Sequence, residues 1–200
     1  AFSIKPFLRA YDSILKEDIF DSVNELPFVI VGSGLAAIEV SYALRKRWGD
    51  RPLKLLCDSR KINNTILKSL RNSNIDLVEK LNFDYGKILL CTGNTSPLWA
   101  QKKLLDSDSY GRIITNQNLQ IKSFSGIFAV GDCAVVGSAK RPASGVFAVK
   151  VVNTLVQNLK KDIEGRSLKK WFPQKIGLQI VNIFPSHHPK AFAIYRNFVF

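Results

Sequence analysis

The sequence predicts an α/β fold built on a parallel, doubly wound sheet, followed by further β elements and a helix. Short apolar runs alternate with helical stretches along residues 25–93, and such runs are typical of parallel strands buried on both faces. A glycine-rich turn joins the first run to a helix. Residues 126–161 then add an apolar run, a Gly-Asp pair and an amphipathic helix.

Local signals define each element of the first domain. Strands are predicted at 28–31, 53–57, 75–78 and 88–91, and helices at 8–15, 35–47 and 62–70. A leading extended segment precedes the first helix. The β-α-β-α-β order predicts right-handed crossovers and a parallel sheet.

The second half of the chain has weaker signals. Small β elements are predicted at 111–115, 119–121 and 126–130, a helix at 146–161, and a hairpin or pair of strands within 176–200. The helix is predicted to have one apolar face, formed by Val146, Val149, Val152, Leu155, Val156 and Leu159.

The turn after the first strand carries the strongest chemical signal. Gly32 permits a tight turn, Gly34 allows a pyrophosphate to approach the backbone, and Ala37 keeps helix and strand close. An anion would then lie at the helix N-terminus, where free N–H groups and the helix dipole favour negative charge. Asp58 follows the second strand, where a carboxylate can bind the adenosine ribose. These residues predict a Rossmann-like dinucleotide site.

Three charged residues near this turn could refine its specificity. Asp58 favours NAD(H), because a carboxylate repels the 2′-phosphate of NADP(H). Arg60 could instead receive that phosphate, so NADP(H) stays an alternative. Glu39, five residues after Gly34, either faces the bound cofactor or simply complements the helix dipole, and physics alone favours the second interpretation.

Composition excludes several classes of protein. The 200 residues are 46% hydrophobic and 22% charged, proportions that exclude wholesale disorder. No apolar run approaches the roughly 20 residues that span a bilayer, and the first residues lack the pattern of a signal peptide. Cys57, Cys91 and Cys133 have no CxxC spacing, which disfavours a zinc site or disulfide scaffold and favours the cytoplasm. The adjacent His187 and His188 form no evident metal site.

The formal net charge of +13 is unevenly distributed, with 11 of the 29 basic residues but only 2 of the 16 acidic residues in 137–200. Such patches could meet nucleic acid, anionic lipid, an acidic partner or an anionic cofactor. Nucleic acid is disfavoured because no basic-aromatic motif accompanies the charge. The C-terminal residues 169–172 and 192–200 could attach to a membrane surface, or the tail could form a hairpin that packs on the second domain or in a homodimer interface.

An ordered set of motifs resembles a known family: residues 29–39, 89–93, 126–134 and 141–149. The set is similar to the two-dinucleotide-binding-domain flavoproteins of the pyridine nucleotide-disulfide oxidoreductase superfamily. Within it, the type II NADH dehydrogenase and sulfide:quinone reductase branch looks nearest. The set resembles most the oxidoreductase segment fused ahead of selenophosphate synthetase (selenide, water dikinase).

The resemblance implies FAD and NAD(P)H as cofactors and assigns roles to specific residues. The glycine turn with Glu39 would belong to the NAD(P)H domain, Thr92 and Gly93 to the return toward the FAD domain, and Asp132 to the flavin's ribityl chain. The helix starting near Gly145 would direct its N-terminus at the flavin ring. The implied cofactor-binding set is Gly32, Ser33, Gly34, Leu35, Ala36, Glu39, Asp58, Arg60, Thr92, Gly93, Gly131, Asp132, Gly145 and Val146.

Two departures from the family set the expected organisation. The sequence has no second GxGxxG turn for the ADP part of FAD, and only residues 79–84 stand where the family has a three-stranded β excursion. We therefore expect residues 1–24 to lead out of an FAD domain and residues 25–93 to form an abbreviated NAD(P)-binding domain with a poorly formed nicotinamide end. Residues 94–165 are expected to be the C-terminal part of the FAD-binding domain. Residues 166–200 are expected to form a hairpin tail. The N-terminal FAD half is expected to lie outside this chain.

The implied function is an NAD(P)H-dependent, FAD-containing oxidoreductase module that passes electrons to a quinone or another acceptor. No catalytic side chain is assigned, and the absence of a CxxxxC dithiol disfavours disulfide chemistry. The alternative is a non-catalytic module that binds a nucleotide or a partner within a selenophosphate synthetase fusion, with a kinase-type domain as its neighbour. The expected location is the cytoplasm. Peripheral attachment to the inner face of the membrane is a further expectation.

Overall fold

The computed structural model describes residues 1–19, 26–93, 105–137, 144–174, 177–183, 190–195 and 198–199. The chain divides into two compact units. The first unit comprises Ala1–Gly93 and Gln179–Phe200, and the second comprises Asn94–Leu178.

The first unit contains a five-stranded parallel sheet with the order β1-β5-β2-β3-β4. Its elements are β1 (Phe2–Ser3), α1 (Phe7–Ile19), β2 (Phe28–Val31), α2 (Leu35–Trp48), β3 (Leu53–Leu56), α3 (Asn64–Asn72), β4 (Ile75–Val78) and β5 (Ile88–Leu90). A short 3₁₀ turn at Ser59–Lys61 follows β3. The predicted α/β class with a parallel sheet is confirmed.

The strands carry apolar side chains that face a common core. Phe28, Ile30, Leu53, Leu55 and Leu89 are each at most 1% exposed. Side chains of α2 and α3 complete the same core, with Ile38, Tyr42 and Leu70 almost fully buried. Fully burying side chains of this size stabilises a fold by roughly 1.5–3 kcal/mol each.

The C-terminal tail forms the predicted hairpin. It contains β8 (Gln179–Ile183), β9 (Lys190–Tyr195) and β10 (Phe198–Val199), which form an antiparallel sheet in the order β10-β9-β8. Val181 and Ile183 enter the core of the first unit, and β8 packs against α2. The tail therefore belongs with the unit that holds the glycine turn, whereas the sequence suggests that it packs on the second domain or in a dimer interface.

The second unit contains a parallel pair of strands, β6 (Ile113–Thr115) and β7 (Ala134–Val136), and the long helix α4 (Gly145–Ile163). A 3₁₀ turn at Gly131–Cys133 leads directly into β7. One small core lies around Ile113 and Ile121, and another around Leu119 and Val151.

The strand predicted at 126–130 is wrong. This stretch makes only one isolated bridge, between Phe128 and Gln120, and the strand β7 begins four residues later. Gly126 and Gly131 both have φ of +77°, so the backbone turns at each end of the stretch and leaves too few residues for a ladder. The predicted small element at 119–121 likewise contributes only isolated bridges, from Gln120 to Phe128 and from Ile121 to Thr115.

The apolar face predicted for α4 is present, but most of it is exposed. The helix buries Phe147, Val151, Thr154 and Asn158 instead. The face left exposed includes Val149, Val152, Val156, Leu159 and Ile163, hereafter the α4 stripe. Helical periodicity shows that a helix has an apolar face, but it does not show what covers that face.

The two compact units follow the chain differently from the expected segments. Residues 1–24 were expected to lead out of another domain, yet β1 pairs with β5 in the same sheet as the glycine turn. The tail expected at 166–200 is divided between the units near residue 178. The boundary between the two units lies after Gly93.

Candidate functional site

The glycine turn joins β2 to α2 at the carboxyl edge of the sheet. Gly32 has φ of +147°, and a Cβ at this position would lie 2.8 Å from the carbonyl oxygen of Cys91. Only glycine fits this turn without displacing β5, because both the conformation and the space exclude a side chain. Gly34 is different: it is exposed, its φ is −89°, and a Cβ there would meet no atom within 4 Å.

The start of α2 leaves its N–H groups without a side-chain cap. By contrast, α3 is capped by Asn63, whose side chain accepts from the N–H of Thr65 at 2.8 Å. Because the space in front of Gly34 is open, an anion could approach the first N–H groups of α2 directly.

Three strand ends meet at this edge. The N–H of Gly32 donates to the carbonyl of Leu56 at 3.0 Å, and the N–H of Cys91 donates to the carbonyl of Val31 at 2.8 Å. The central strand β2 therefore lies between β3 and β5. After β2 the chain adds β3 and β4 on one side, and it then returns to add β5 on the other side, so the strand order reverses at β2. Crevices at such a reversal of strand order are where open α/β sheets bind ligands.

Asp58 lies at this edge and is fixed by two neighbours. Its backbone N–H donates to Ser33 Oγ at 2.9 Å. Its carboxylate accepts from Arg60 Nε at 2.9 Å and Nη2 at 3.1 Å, and the hydrogen bond from the Arg60 side chain holds the pKa of Asp58 below its usual value. Asp58 is thus an ionised acceptor. Arg60 is 88% exposed, so it could move aside for a ligand.

Thr92 and Gly93 follow β5 and are both exposed. Gly93 has φ of +69°, in the left-handed region that favours glycine. The first unit therefore brings Gly32, Asp58 and Thr92 to one edge of the sheet.

The remaining candidates of the first unit lie on α2. Leu35 is half-buried against the core, and Ala36 is exposed. Glu39 is half-buried, and its Oε1 accepts from the backbone N–H of Asn182 at 3.1 Å. Sequence reasoning missed this partner, because 143 residues separate the pair and no motif marks a backbone N–H.

The second unit brings together the other four candidates. Gly131 has φ of +77°, and a Cβ on it would lie 3.8 Å from the Cβ of Ala148 in the first turns of α4. Asp132 is exposed in the adjoining 3₁₀ turn. Gly145 is exposed and Val146 half-buried at the start of α4, where Ser144 makes no side-chain cap. An acid beside an uncapped helix N-terminus can bind hydroxyl groups and a partly negative ring.

The described cysteines do not form a reactive pair. Cys57 and Cys91 are buried, and burial raises the pKa of the Cys91 thiol to about 11, so this thiol is protonated at neutral pH. Cys133 is half-buried, and its Sγ donates to the carbonyl of Val130 at 3.3 Å. No cluster of metal-binding side chains occurs among the residues that the structure describes.

A few residues singled out in the sequence fall outside the described ranges. These are residues 141–143 of the fourth family motif and both histidines. Across the described part of the chain, no helix is long and apolar enough to cross a membrane.

Comparison with known proteins supports the same class of fold. No family model matches the sequence. Ferroptosis suppressor protein 1 from Mus musculus is 23% identical over 203 residues, covering 83% of this chain and 52% of that protein. A probable NADH dehydrogenase from Dictyostelium discoideum is 28% identical over 176 residues, covering 65% of this chain and 39% of the relative. The chain thus spans about half, or less, of the length of these curated relatives.

A solved structure extends the comparison to the whole chain. The sulfide:quinone oxidoreductase from Aquifex aeolicus matches with a TM-score of 0.65 at 15% identity, covering 98% of this chain and 56% of that one. At this identity the match shows the fold alone. The narrower resemblance to the segment fused to selenophosphate synthetase gains no support from these relatives. The chain therefore shares the fold of this solved oxidoreductase and is similar in sequence to the two curated relatives.

Proposed function

We propose that this chain is the NAD(P)H-binding part, and a portion of the flavin-binding part, of an FAD-containing oxidoreductase that passes electrons to a quinone or another acceptor. The open N-terminus of α2 carries the proposal. There, Gly34 leaves the backbone accessible and no side chain caps the helix, so the dinucleotide pyrophosphate has a ready site. The likeness to a probable NADH dehydrogenase and a sulfide:quinone oxidoreductase supports the same reaction class.

The residues of the first unit fit a nicotinamide dinucleotide. The turn at Gly32 and Gly34 would hold the pyrophosphate, and Asp58 would accept hydrogen bonds from the adenosine ribose. Thr92 and Gly93 would line the side of the crevice beyond β5. A bound nicotinamide and flavin would supply the hydride chemistry, while the protein binds and orients them.

NAD(H) is the cofactor that the local charges favour. Asp58 is held ionised by Arg60, and a carboxylate at this position disfavours a 2′-phosphate. NADP(H) binding would require Arg60 to leave Asp58 and turn toward the phosphate. An Asp58→Ala variant is therefore expected to lose affinity for NADH and to lose its preference for NADH over NADPH.

The second unit supplies only part of a flavin site. Asp132 and the N-terminus of α4 fit the ribityl chain and the ring, but the sequence has no second glycine turn for the ADP part of FAD. We infer that a polypeptide region beyond these 200 residues completes this site. The α4 stripe supports the inference, because its alternating three- and four-residue spacing is typical of a helix face that packs against another element.

We place the complete protein in the cytoplasm and peripherally on the inner face of the membrane. A quinone acceptor resides in the bilayer, and the basic residues Lys169 and Lys170 could meet anionic lipid there. A homodimer and a kinase-type fusion are further proposals that carry no geometric support.

The test is the spectrum and activity of the purified full-length protein. It is expected to show flavin absorbance and to oxidise NADH when a soluble quinone analogue is added. A colourless protein that still binds NADH would favour the alternative, a non-catalytic nucleotide-binding module. Failure to bind any dinucleotide would contradict both interpretations of the glycine turn.

A further inference from the structure

The C-terminal hairpin is part of the nucleotide-binding unit. Val181 is fully buried and Ile183 is 7% exposed, in the same apolar core as Ile30 and Ala37. Because β8 packs against α2, the hairpin lies beside the helix whose N-terminus would hold the dinucleotide. The unit thus gains a three-stranded antiparallel sheet from the end of the chain, although the stretch between β4 and β5 contains none.

One hydrogen bond connects this hairpin to a candidate cofactor residue. The backbone N–H of Asn182 donates to Glu39 Oε1 at 3.1 Å. β8 is the edge strand of its sheet, so its outward N–H groups have no strand partner among the described residues. A carboxylate offers about four acceptor positions, so Glu39 keeps the capacity to accept from a second donor.

We propose that the backbone N–H of Asn182 is a positioning group for the dinucleotide site, holding the Glu39 carboxylate in one orientation on the second turn of α2. This inference rests on the proposed function and adds to it that Glu39, on the helix whose N-terminus would hold the pyrophosphate, accepts from the nicotinamide carboxamide. A carboxylate that is already fixed before the ligand binds loses less conformational entropy when the nicotinamide carboxamide donates to it. The ligand therefore binds more tightly. The hairpin therefore tunes affinity for the nicotinamide half of the ligand only.

A matched pair of variants tests the role of this N–H. Asn182→Pro removes the N–H at an edge-strand position where proline is tolerated, and Asn182→Ala removes the exposed side chain but keeps the N–H. Both are titrated with NADH and with ADP-ribose, which lacks the nicotinamide. Asn182→Pro is expected to bind NADH about three- to tenfold more weakly, from the cost of immobilising one side chain, with ADP-ribose binding unchanged. Asn182→Ala is expected to match the wild type with both ligands.

A second pair of variants, at Glu39, tests the same hydrogen bond without changing β8, in case proline at position 182 perturbs that strand. Glu39→Gln retains an oxygen that can accept from Asn182, whereas Glu39→Ala does not. Hydrogen exchange of the Asn182 amide is expected to stay slow in Glu39→Gln and to become faster in Glu39→Ala, and Glu39→Ala is expected to lose affinity for NADH but not for ADP-ribose.

The outcomes separate this inference from the function on which it rests. A wild-type protein that binds neither ligand overturns the proposed function, and the inference with it. A wild-type protein that binds both, with Asn182→Pro or Glu39→Ala weakening both ligands equally, overturns the inference alone, because the contact would then be merely structural. Identical behaviour of Asn182→Pro and Asn182→Ala would also overturn it.

Discussion

The helices of the two units differ in how much of their apolar surface they bury. In the first, α2 buries apolar side chains such as Ala37, Ile38 and Tyr42 within the largest core of the described residues. In the second, α4 buries the polar Asn158 completely while Val149 on its other face is 74% exposed. The contrast indicates that the glycine turn before α2 lies on a large apolar core, whereas α4 leaves an apolar face exposed.

The buried ion pair of the first unit should give the greatest loss of stability when it is broken. Arg51 Nη2 lies 3.1 Å from Glu17 Oε2, and both side chains are less than 10% exposed. Glu17→Ala would leave the guanidinium without its carboxylate, and the free energy of unfolding is expected to fall by about 3–5 kcal/mol in urea denaturation. Asp76→Ala removes the exposed pair with Lys54 and should cost no more than about 1 kcal/mol. If Glu17→Ala and Asp76→Ala lowered the free energy of unfolding equally, the result would contradict a first unit whose core buries the Arg51–Glu17 pair.

The next effect distinguishes the two glycines of the turn. Gly32→Ala places a methyl group against the Cys91 carbonyl at a positive φ, and is expected to lower the free energy of unfolding by about 2–4 kcal/mol. Gly34→Ser meets open space and introduces a favoured N-cap residue, so its stability is expected to equal or exceed that of the wild type. Thermal unfolding of both variants provides the check, and a stable Gly32→Ala protein would show that the turn is not constrained.

A smaller effect compares the two faces of α4. Asn158 Nδ2 donates to the carbonyls of Asn118 and Lys169, and its Oδ1 accepts from the Lys169 N–H. Asn158→Ala is expected to cost about 1–3 kcal/mol, because it orphans these buried groups. Val156→Ser, on the α4 stripe, should change the stability of this chain by less than about 0.5 kcal/mol. In the flavin-loaded full-length protein, Val156→Ser should cost more, and an equal cost in both would argue that nothing covers the stripe.

A weak dependence of stability on pH is expected in the first unit. The hydrogen bond from the Arg47 side chain holds the pKa of Asp18 below its usual value, and Trp48 Nε1 also donates to this carboxylate at 2.6 Å. A lowered folded-state pKa stabilises the fold above the ordinary Asp pKa of about 4, and this contribution disappears as pH falls through the folded value.

The Asp18→Asn variant checks that dependence. It is expected to show a flatter decline in unfolding free energy between about pH 5 and pH 3, with a difference from the wild type of less than about 1 kcal/mol. An identical decline in the two proteins would mean that Asp18 titrates normally in the folded state.

Sequence reasoning succeeded where the determining forces are local. The strand at Phe28–Val31 and the turn at Gly32 follow from apolar runs and from glycine chemistry, and both lie where they were predicted. It could not show which face of α4 is buried, because Asn158 on that face bonds to the carbonyl of Asn118, 40 residues away in the sequence. The contact between Asn182 and Glu39 was equally out of reach, since it depends on where the hairpin packs.

The proposed function depends above all on the open N-terminus of α2, which we expect to bind the pyrophosphate of a nicotinamide dinucleotide. The decisive experiment is an NADH titration of the wild-type chain and of Gly34→Ser, with thermal unfolding of both proteins as the control for folding. We predict saturable NADH binding by the wild type and at least a tenfold weaker affinity in an equally stable Gly34→Ser, because its side chain occupies the space that the pyrophosphate needs. Equal NADH affinity in the two proteins, or none in the wild type, would contradict the proposal.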